Sequence, residues 1–447
     1  MSSLLDQLSL LELEPSALEC IARQGILKGQ KISRASNGMP VITEYMPPEY
    51  GRPDPVIKLY VWNVGYLNSP FAVPHGVEHM LIERSTDSRT GENYLERAEE
   101  RGSINNAEVE RAHAVYYVKP ATTHEMFSLL HDLMEQIANA KFDPLETQQE
   151  YGSMRDEVRR WESDSEVASS LIARGILFGM YPHHFRLWEN GTIQDINALS
   201  WEDLKDAKAF YYTPRNMTLF VAGAFPYANK GNNADTFHRD VLDVVERFFS
   251  IPMERNGFRF TQYVPRVSIT SSLPPEHFER DISDIFFSKA YGVEGLNESN
   301  AVAADVIARI LTARVYMALR MTKGFTYYTQ FRRLDGPENA FVFRTSFEPL
   351  GAKNAIEQLH DIERDVRING VTEREFEIHT RGLINTARRE YRDGTSLIRM
   401  HKDARLGRQN FYSRISTLET LTSKDVHNAA QMILSSPSVE VTLGPSY

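Results

Sequence analysis

The feature that most constrains this chain is that its sequence is written twice. The segment Leu199–Gly223, LSWEDLKDAKAFYYTPRNMTLFVAG, is echoed from Leu421 to Gly444 as LTSKDVHNAAQMILSSPSVEVTLG. Leu199 and Leu421 stand 222 positions apart, and Asp203 and Asp425 keep that offset. Each copy reads as a polar helix start, an amphipathic helix, a Pro-containing turn and a short β-rich strand that closes on Gly. A second echo lies upstream, where Leu130-His131-Asp132 returns as Leu359-His360-Asp361 and Asn139 as Asn369, at offsets of 229 and 230. Self-similarity at a fixed period signals a repeated structural unit. Two related halves are therefore expected, 1–250 and 265–447, joined around residues 250–265.

Within the first half the pattern predicts strands near 40–46 and 56–64, then a helix from about Pro74. A helix near 92–102 and a strand or hairpin through 104–118 come next. Long helices follow across 122–163 and 165–178, and a strand at 217–222 closes the half. The second half runs in similar order. It has a strand at 283–291, a helix at 299–321, a hairpin through 326–348 around Asp335-Gly336-Pro337, long helices, and a strand at 439–443. Helices and strands mix without strict βαβ alternation, so the expected class is α+β, each half a mainly antiparallel sheet packed with helices.

Composition narrows the function. A length of 447 residues exceeds one ordinary core. Hydrophobic residues at 42% and charged residues at 25% are the balance of a globular protein. With a net charge of −10 and scattered basic residues, nothing forms a phosphate-binding stripe, which argues against a nucleic-acid partner. The single cysteine, Cys20, excludes a disulfide within the chain. Asp6, Glu12, Glu14 and Glu19 interrupt the leucine-rich start, against a secretory or transit signal. No apolar run is long enough for a bilayer span. The expectation is a soluble cytoplasmic protein with no membrane partner.

The pentapeptide His75-Gly76-Val77-Glu78-His79 carries the chemistry. Positions four apart share a helix face, so both imidazoles can reach one ion, with Glu78 beside it. Pro74 suits a first helical turn, where a missing N–H is harmless. A lone histidine is usually a surface or core residue, but the whole H-x-x-E-H pattern should arise by chance only on the order of a few hundredths of a time per chain. Zinc needs a third protein ligand if its fourth position is to take water. The acidic helix Glu146–Glu162 offers Glu150 and Glu157, seven residues and roughly 10 Å of helix rise apart. One of them is expected to ligate and the other to support a histidine or the water. Periodicity does not choose between them or exclude Asp156. The pair His124 and His131, read on one helix at spacing seven, is too far apart for one ion, and His183-His184 reads as a loop feature. Shifted by 230, the motif falls near Asp305 within Ala301–Leu311, and Glu157 falls on Ala387. The second half is thus expected to keep the fold and lack the metal.

H-x-x-E-H is the inverted form of the common zinc-protease helix motif. With it the chain resembles the pitrilysin/insulinase family, in the branch of short two-domain subunits that includes mitochondrial processing peptidase and its bacterial relatives. The resemblance runs from Asn37-Gly38 through the PHGVEHM segment. It continues through Asn106-Ala107, Arg111, Val115-Tyr116-Tyr117, Phe142-Asp143-Pro144 and the Glu150/Glu157 pair to Gly444-Pro445. It implies one Zn2+ per chain held by His75, His79 and Glu157, with Glu78 as general base and Glu150 supporting from behind. Asn106 and Ala107 match the family's edge strand, which offers backbone hydrogen bonds to an extended peptide. Arg320 and Tyr327, seven apart in LRMTKGFTY, resemble its substrate-clamping pair. In short subunits that pair comes from the partner chain. One chain bearing both parts is therefore expected to form a homodimer with two equivalent sites, a heterodimer with a related subunit being the alternative.

The implied activity is that of a zinc metalloendopeptidase acting on extended peptides or unfolded precursor segments inside a dimeric chamber. A non-catalytic peptide-binding or scaffold subunit is the rival, expected to have lost at least one ligand. Two departures bear on the pocket beside the metal. Gly76 stands where the family commonly places a bulky residue, and LIERST follows where an aromatic-Lys-Gly-Thr-like run is usual.

Overall fold

The computed structural model describes residues 30–46, 55–65, 71–86, 90–110, 112–183, 191–225, 231–248, 266–293, 298–321, 326, 328–334, 340–392 and 411–447. The join expected near 250–265 and the turn Asp335-Gly336-Pro337 lie outside them. In chain order the elements begin with β1 (Gln30–Arg34), β2 (Pro40–Tyr45), β3 (Val56–Trp62), α1 (Val73–Ile82) and α2 (Tyr94–Glu100). Next come β4 (Ile104–Val109), β5 (His113–Lys119), α3 (Met126–Asn139), α4 (Pro144–Ser163) and α5 (Ser165–Leu177). α6 (Ile193–Ala198), α7 (Trp201–Tyr211), β6 (Met217–Gly223) and α8 (Ala234–Phe248) follow. The second series is β7 (Glu276–Glu279), β8 (Ile285–Gly292), α9 (Glu298–Val315), a π-helical turn Tyr316–Met321, β9 (Thr329–Arg333) and β10 (Ala340–Phe347). It ends with α10 (Pro349–Asn369), α11 (Glu373–Arg392), α12 (Phe411–Thr420), α13 (Ser423–Leu434) and β11 (Ser438–Gly444).

The duplication is visible in the strand orders. The first sheet runs β1-β2-β6-β3-β5-β4 and the second β7-β11-β8-β10-β9. Removing β1 makes them superimposable in order: β2 answers to β7, β6 to β11, β3 to β8, β5 to β10 and β4 to β9. Each sheet is antiparallel except for one parallel pair, β2 with β6 and β7 with β11, at equivalent places. The fold is α+β with two mainly antiparallel sheets. The echo of Asp203 in Asp425 has a local cause. Ser200 and Asp203 form a reciprocal capping box at the start of α7, as Thr422 and Asp425 do at α13. Each box satisfies N–H groups that a helix start leaves without partners.

Two compact units emerge. Among described residues, the first takes those up to Glu157, those from Gly191 to Phe248, and Tyr391 and Arg392. The second takes those from Val158 to His183, from Arg266 to Glu390, and from Phe411 onward. These units differ from the sequence halves because α5 belongs with the second sheet. Its Leu171, Ile172 and Leu177 pack with Ala290, Val342 and Val439 on one face of that sheet, while α9, α10 and α13 build the core on the other. Central β8 is accordingly buried along almost its whole length. Edge strand β4 instead alternates strictly between exposed and buried.

The helices expected across 122–163 are two, α3 and α4, parted at Asp143. Asp143 Oδ1 accepts from Leu145 N at 2.8 Å and Glu146 N at 3.1 Å, and Pro144 opens a new helix, α4. At the other end α3 begins only at Met126, so His124 precedes it and does not share its helix with His131, whose ring packs edge-on against Phe248 at 4.7 Å.

Candidate metal centre

α1 begins abruptly. Ala72 takes a left-handed conformation and Pro74 occupies the first turn, so the helix starts at Val73, two residues before the pentapeptide. Gly76 answers a close approach: a Cβ there would lie 2.8 Å from Leu204 Cδ2 on α7. Buried Val77 and Met80 fix one face of α1 in the core, leaving His75, Glu78 and His79 gathered within 4.8 Å of one another. α4 brings in the carboxylates.

The two imidazoles meet at right angles, with His75 Nε2 2.9 Å from His79 Nε2. Glu157 Oε2 stands 3.2 Å from the first and 3.3 Å from the second. At bond lengths of about 2.0–2.2 Å, ligand atoms around a tetrahedral zinc stand roughly 3.3 Å apart. Two nitrogens and one carboxylate oxygen at 2.9–3.3 Å thus fit that donor set. On the far side of the His79 ring, Nδ1 is 2.9 Å from Glu150 Oε1. Glu150 Oε2 in turn accepts from Arg84 Nε at 2.6 Å.

The charges are strongly coupled. Burial works against protonating His79, yet the hydrogen bonds to Glu150 and Glu157 prevail and lift its pKa to about 10. That same anionic field suits a divalent cation. Burial lowers the pKa of His75. For Glu78, burial pushes the carboxyl up to about 7, against the pull of His79 and with help from Glu157. Tyr116 and Tyr212 share a 2.6 Å hydrogen bond in the core, and burial raises both phenols, with the charge of Glu78 adding to it.

Two family models match this chain: "Insulinase (Peptidase family M16)" over residues 71–176, and "Peptidase M16 inactive domain" over residues 198–383. The chain belongs to peptidase family M16, the insulinase family. Among its relatives in that family is a probable mitochondrial-processing peptidase subunit beta of Arabidopsis thaliana. It is 24% identical over 180 residues, which span 39% of this chain and 30% of the relative. A protease from Helicobacter pylori shares the fold with a TM-score of 0.76 and 16% identity, over 94% of this chain and all of the other. A Pseudomonas fluorescens chain described as a peptidase M16 inactive domain gives 0.75 and 16%, over 94% and 98%.

The remaining residues that sequence singled out in this M16 chain are dispersed. Asn106 and Ala107 lie on β4, which α1 packs against and which is terminal among the described strands. The Asn106 side chain is exposed and accepts the Ala107 N–H at 2.8 Å. Arg320 sits in the π-helical turn after α9 in the second unit, and Tyr327 lies outside the described residues. Asp156 neighbours Glu157 on α4 but has no place among the converging atoms given above. Sequence reasoning missed Arg84. Its only signal was position, five residues past His79 within the unusual LIERST run. Among the described residues, no helix is long and apolar enough to cross a membrane.

Proposed function

We propose that this M16 chain is a zinc-dependent endopeptidase. The observation that carries the reading is the convergence of His75 Nε2, His79 Nε2 and Glu157 Oε2 within 2.9–3.3 Å, next to a carboxyl held at about 7. His75, His79 and Glu157 would hold the ion, one per chain. When bound, zinc supplies Lewis acidity that polarises a carbonyl and makes water acidic near neutral pH. Glu78 would take a proton from the attacking water and return it to the leaving amine. Glu150, braced by Arg84, orients the His79 ring through Nδ1.

Substrate would bind extended along β4. The Asn106 side chain keeps the Ala107 N–H satisfied until a peptide carbonyl replaces it. Arg320 and Tyr327 would serve a site completed by a second copy of the chain, which makes a homodimer the favoured assembly and a heterodimer the alternative. A non-catalytic scaffold is disfavoured by the intact donor set.

Replacing Glu78 with Gln tests the reading. The variant should retain one zinc per chain by elemental analysis and lose cleavage of a peptide library, as should the wild type after chelation. Wild-type turnover by Glu78→Gln would sink the assignment, and a chain that takes up no zinc would return the scaffold reading.

A further inference from the structure

The two sheets correspond strand for strand, and a shift of 230 positions carries His75, His79 and Glu157 to Asp305, Arg309 and Ala387 in the second unit. Gly152 on α4 likewise has Gly382 on α11. Asp305, Arg309 and Ala387 all line one open pocket of about 280 Å3, between α9, β9, α11 and α12. At these positions the chemistry differs from that of the metal cluster.

The exchange is toward positive charge. Among the described residues, Arg309, Arg332, Arg333 and Arg414 line the pocket together with one carboxylate, Asp305. Asp305 is already engaged, accepting from Arg333 Nε at 3.2 Å and Arg414 Nη2 at 3.1 Å. Those contacts fix two guanidiniums in place. Arg309 projects from the next turn of the same helix, and a Cβ at Gly382 would lie 3.3 Å from its Nη1. The field of Arg309 also adds to burial in lowering the pKa of nearby His379. Ala387, where the first unit has Glu157, removes a competing carboxylate and leaves room.

We propose that this pocket binds a small multivalent anion carrying two or more carboxylate or phosphate groups. Planar guanidiniums present paired donors that match both groups, and a concave wall concentrates their field. A volume of 280 Å3 holds roughly nine waters' worth of ligand. That suits an ion the size of pyrophosphate or citrate and is small for a nucleotide. The proposal is independent of whether the first unit holds zinc.

The test is calorimetric titration of the full chain with pyrophosphate and, separately, citrate, against sodium chloride at matched ionic strength. Binding of either at one site per chain is expected, and the tighter of the two identifies the phosphate or carboxylate class. Arg309→Glu, at an exposed position, should weaken binding at least tenfold. Ala387→Glu should do the same by restoring the twin's carboxylate. Arg239→Glu, an exposed control in the first unit, should bind as the wild type. No binding of either anion would overturn the site. So would wild-type affinity in Arg309→Glu, or an equal loss in Arg239→Glu. Should Ala387→Glu fail to fold, the Arg309 and Arg239 variants still decide.

Discussion

Glu150 Oε1 lies 2.9 Å from His79 Nδ1, so the ring that turns Nε2 toward His75 and Glu157 is gripped from behind by a carboxylate only 3% exposed. The same carboxylate is tied to Arg84 at 2.6 Å, and despite burial its two partners hold its pKa below the usual range. Groups that orient a ligating histidine typically contribute 10–100-fold to metal affinity. Glu150→Gln is therefore expected to weaken zinc binding by about that factor, measured by competition with a chromogenic chelator. An unchanged dissociation constant would remove Glu150 from the metal's support.

The Tyr116–Tyr212 pair gives a prediction free of any metal. Their hydroxyls are 2.6 Å apart, and Tyr116 is fully buried. Tyr212→Phe leaves a buried hydroxyl without its partner, at a cost of about 1–3 kcal/mol. The double variant Tyr116→Phe/Tyr212→Phe removes both polar groups and should be more stable than either single one, by chemical denaturation. Additive losses would show that the two hydroxyls do not satisfy each other.

Much of this architecture can be read from sequence because it depends on local rules. Capping boxes need short polar side chains at fixed spacing, which is why Ser200/Asp203 and Thr422/Asp425 advertise two copies of one helix start. The face shared by His75, Glu78 and His79 follows from helix period alone. The choice between Glu150 and Glu157 does not follow. It depends on how α4 passes α1, and both acids reach His79, one at each ring nitrogen. β1 and β7 escaped notice for a different reason: QKISR and EHFE are short, and β7 is largely exposed, so neither carries a hydrophobic period. Arg84 lay beyond any motif, and only the fold brings it to Glu150.

A histidine remote from the cluster sets a pH limit on the first unit. His238 on α8 meets Ser33 Oγ at 2.6 Å and Thr43 Oγ1 at 2.8 Å. Burial first, then the charge of Lys31, lowers its pKa to about 4, Asp235 opposing. The unfolded chain, at about 6.5, then binds more protons than the native one between pH 4 and 6.5. Stability from this site is full above pH 6.5 and is lost as pH falls toward 4, by on the order of 3 kcal/mol. Amide exchange across β1, β2 and α8 should accelerate through that window in the wild type. In His238→Gln the acceleration should be absent. If both chains behave alike, the histidine is not the titrating group.

Gly76 and Leu204 couple the metal-site helix to its neighbour. A Cβ at residue 76 would sit 2.8 Å from Leu204 Cδ2 and 3.6 Å from Leu199 Cδ1, so the missing side chain lets α1 and α7 close together. Glycine costs α1 about 1 kcal/mol of helix propensity relative to alanine, and the close approach is what that cost permits. Gly76→Leu should overpack the contact and destabilise the chain by about 1–3 kcal/mol. Leu204→Ala alone should cost about 2–5 kcal/mol by leaving a cavity. Together the two should cost less than their sum by about 0.5–3 kcal/mol, because the new side chain fills the space the other vacates. Since residue 76 follows His75 directly, Gly76→Leu should also weaken zinc binding, and adding Leu204→Ala should restore part of it. Strict additivity in denaturation, or full zinc affinity in Gly76→Leu, would show that α7 does not set the position of the histidine helix.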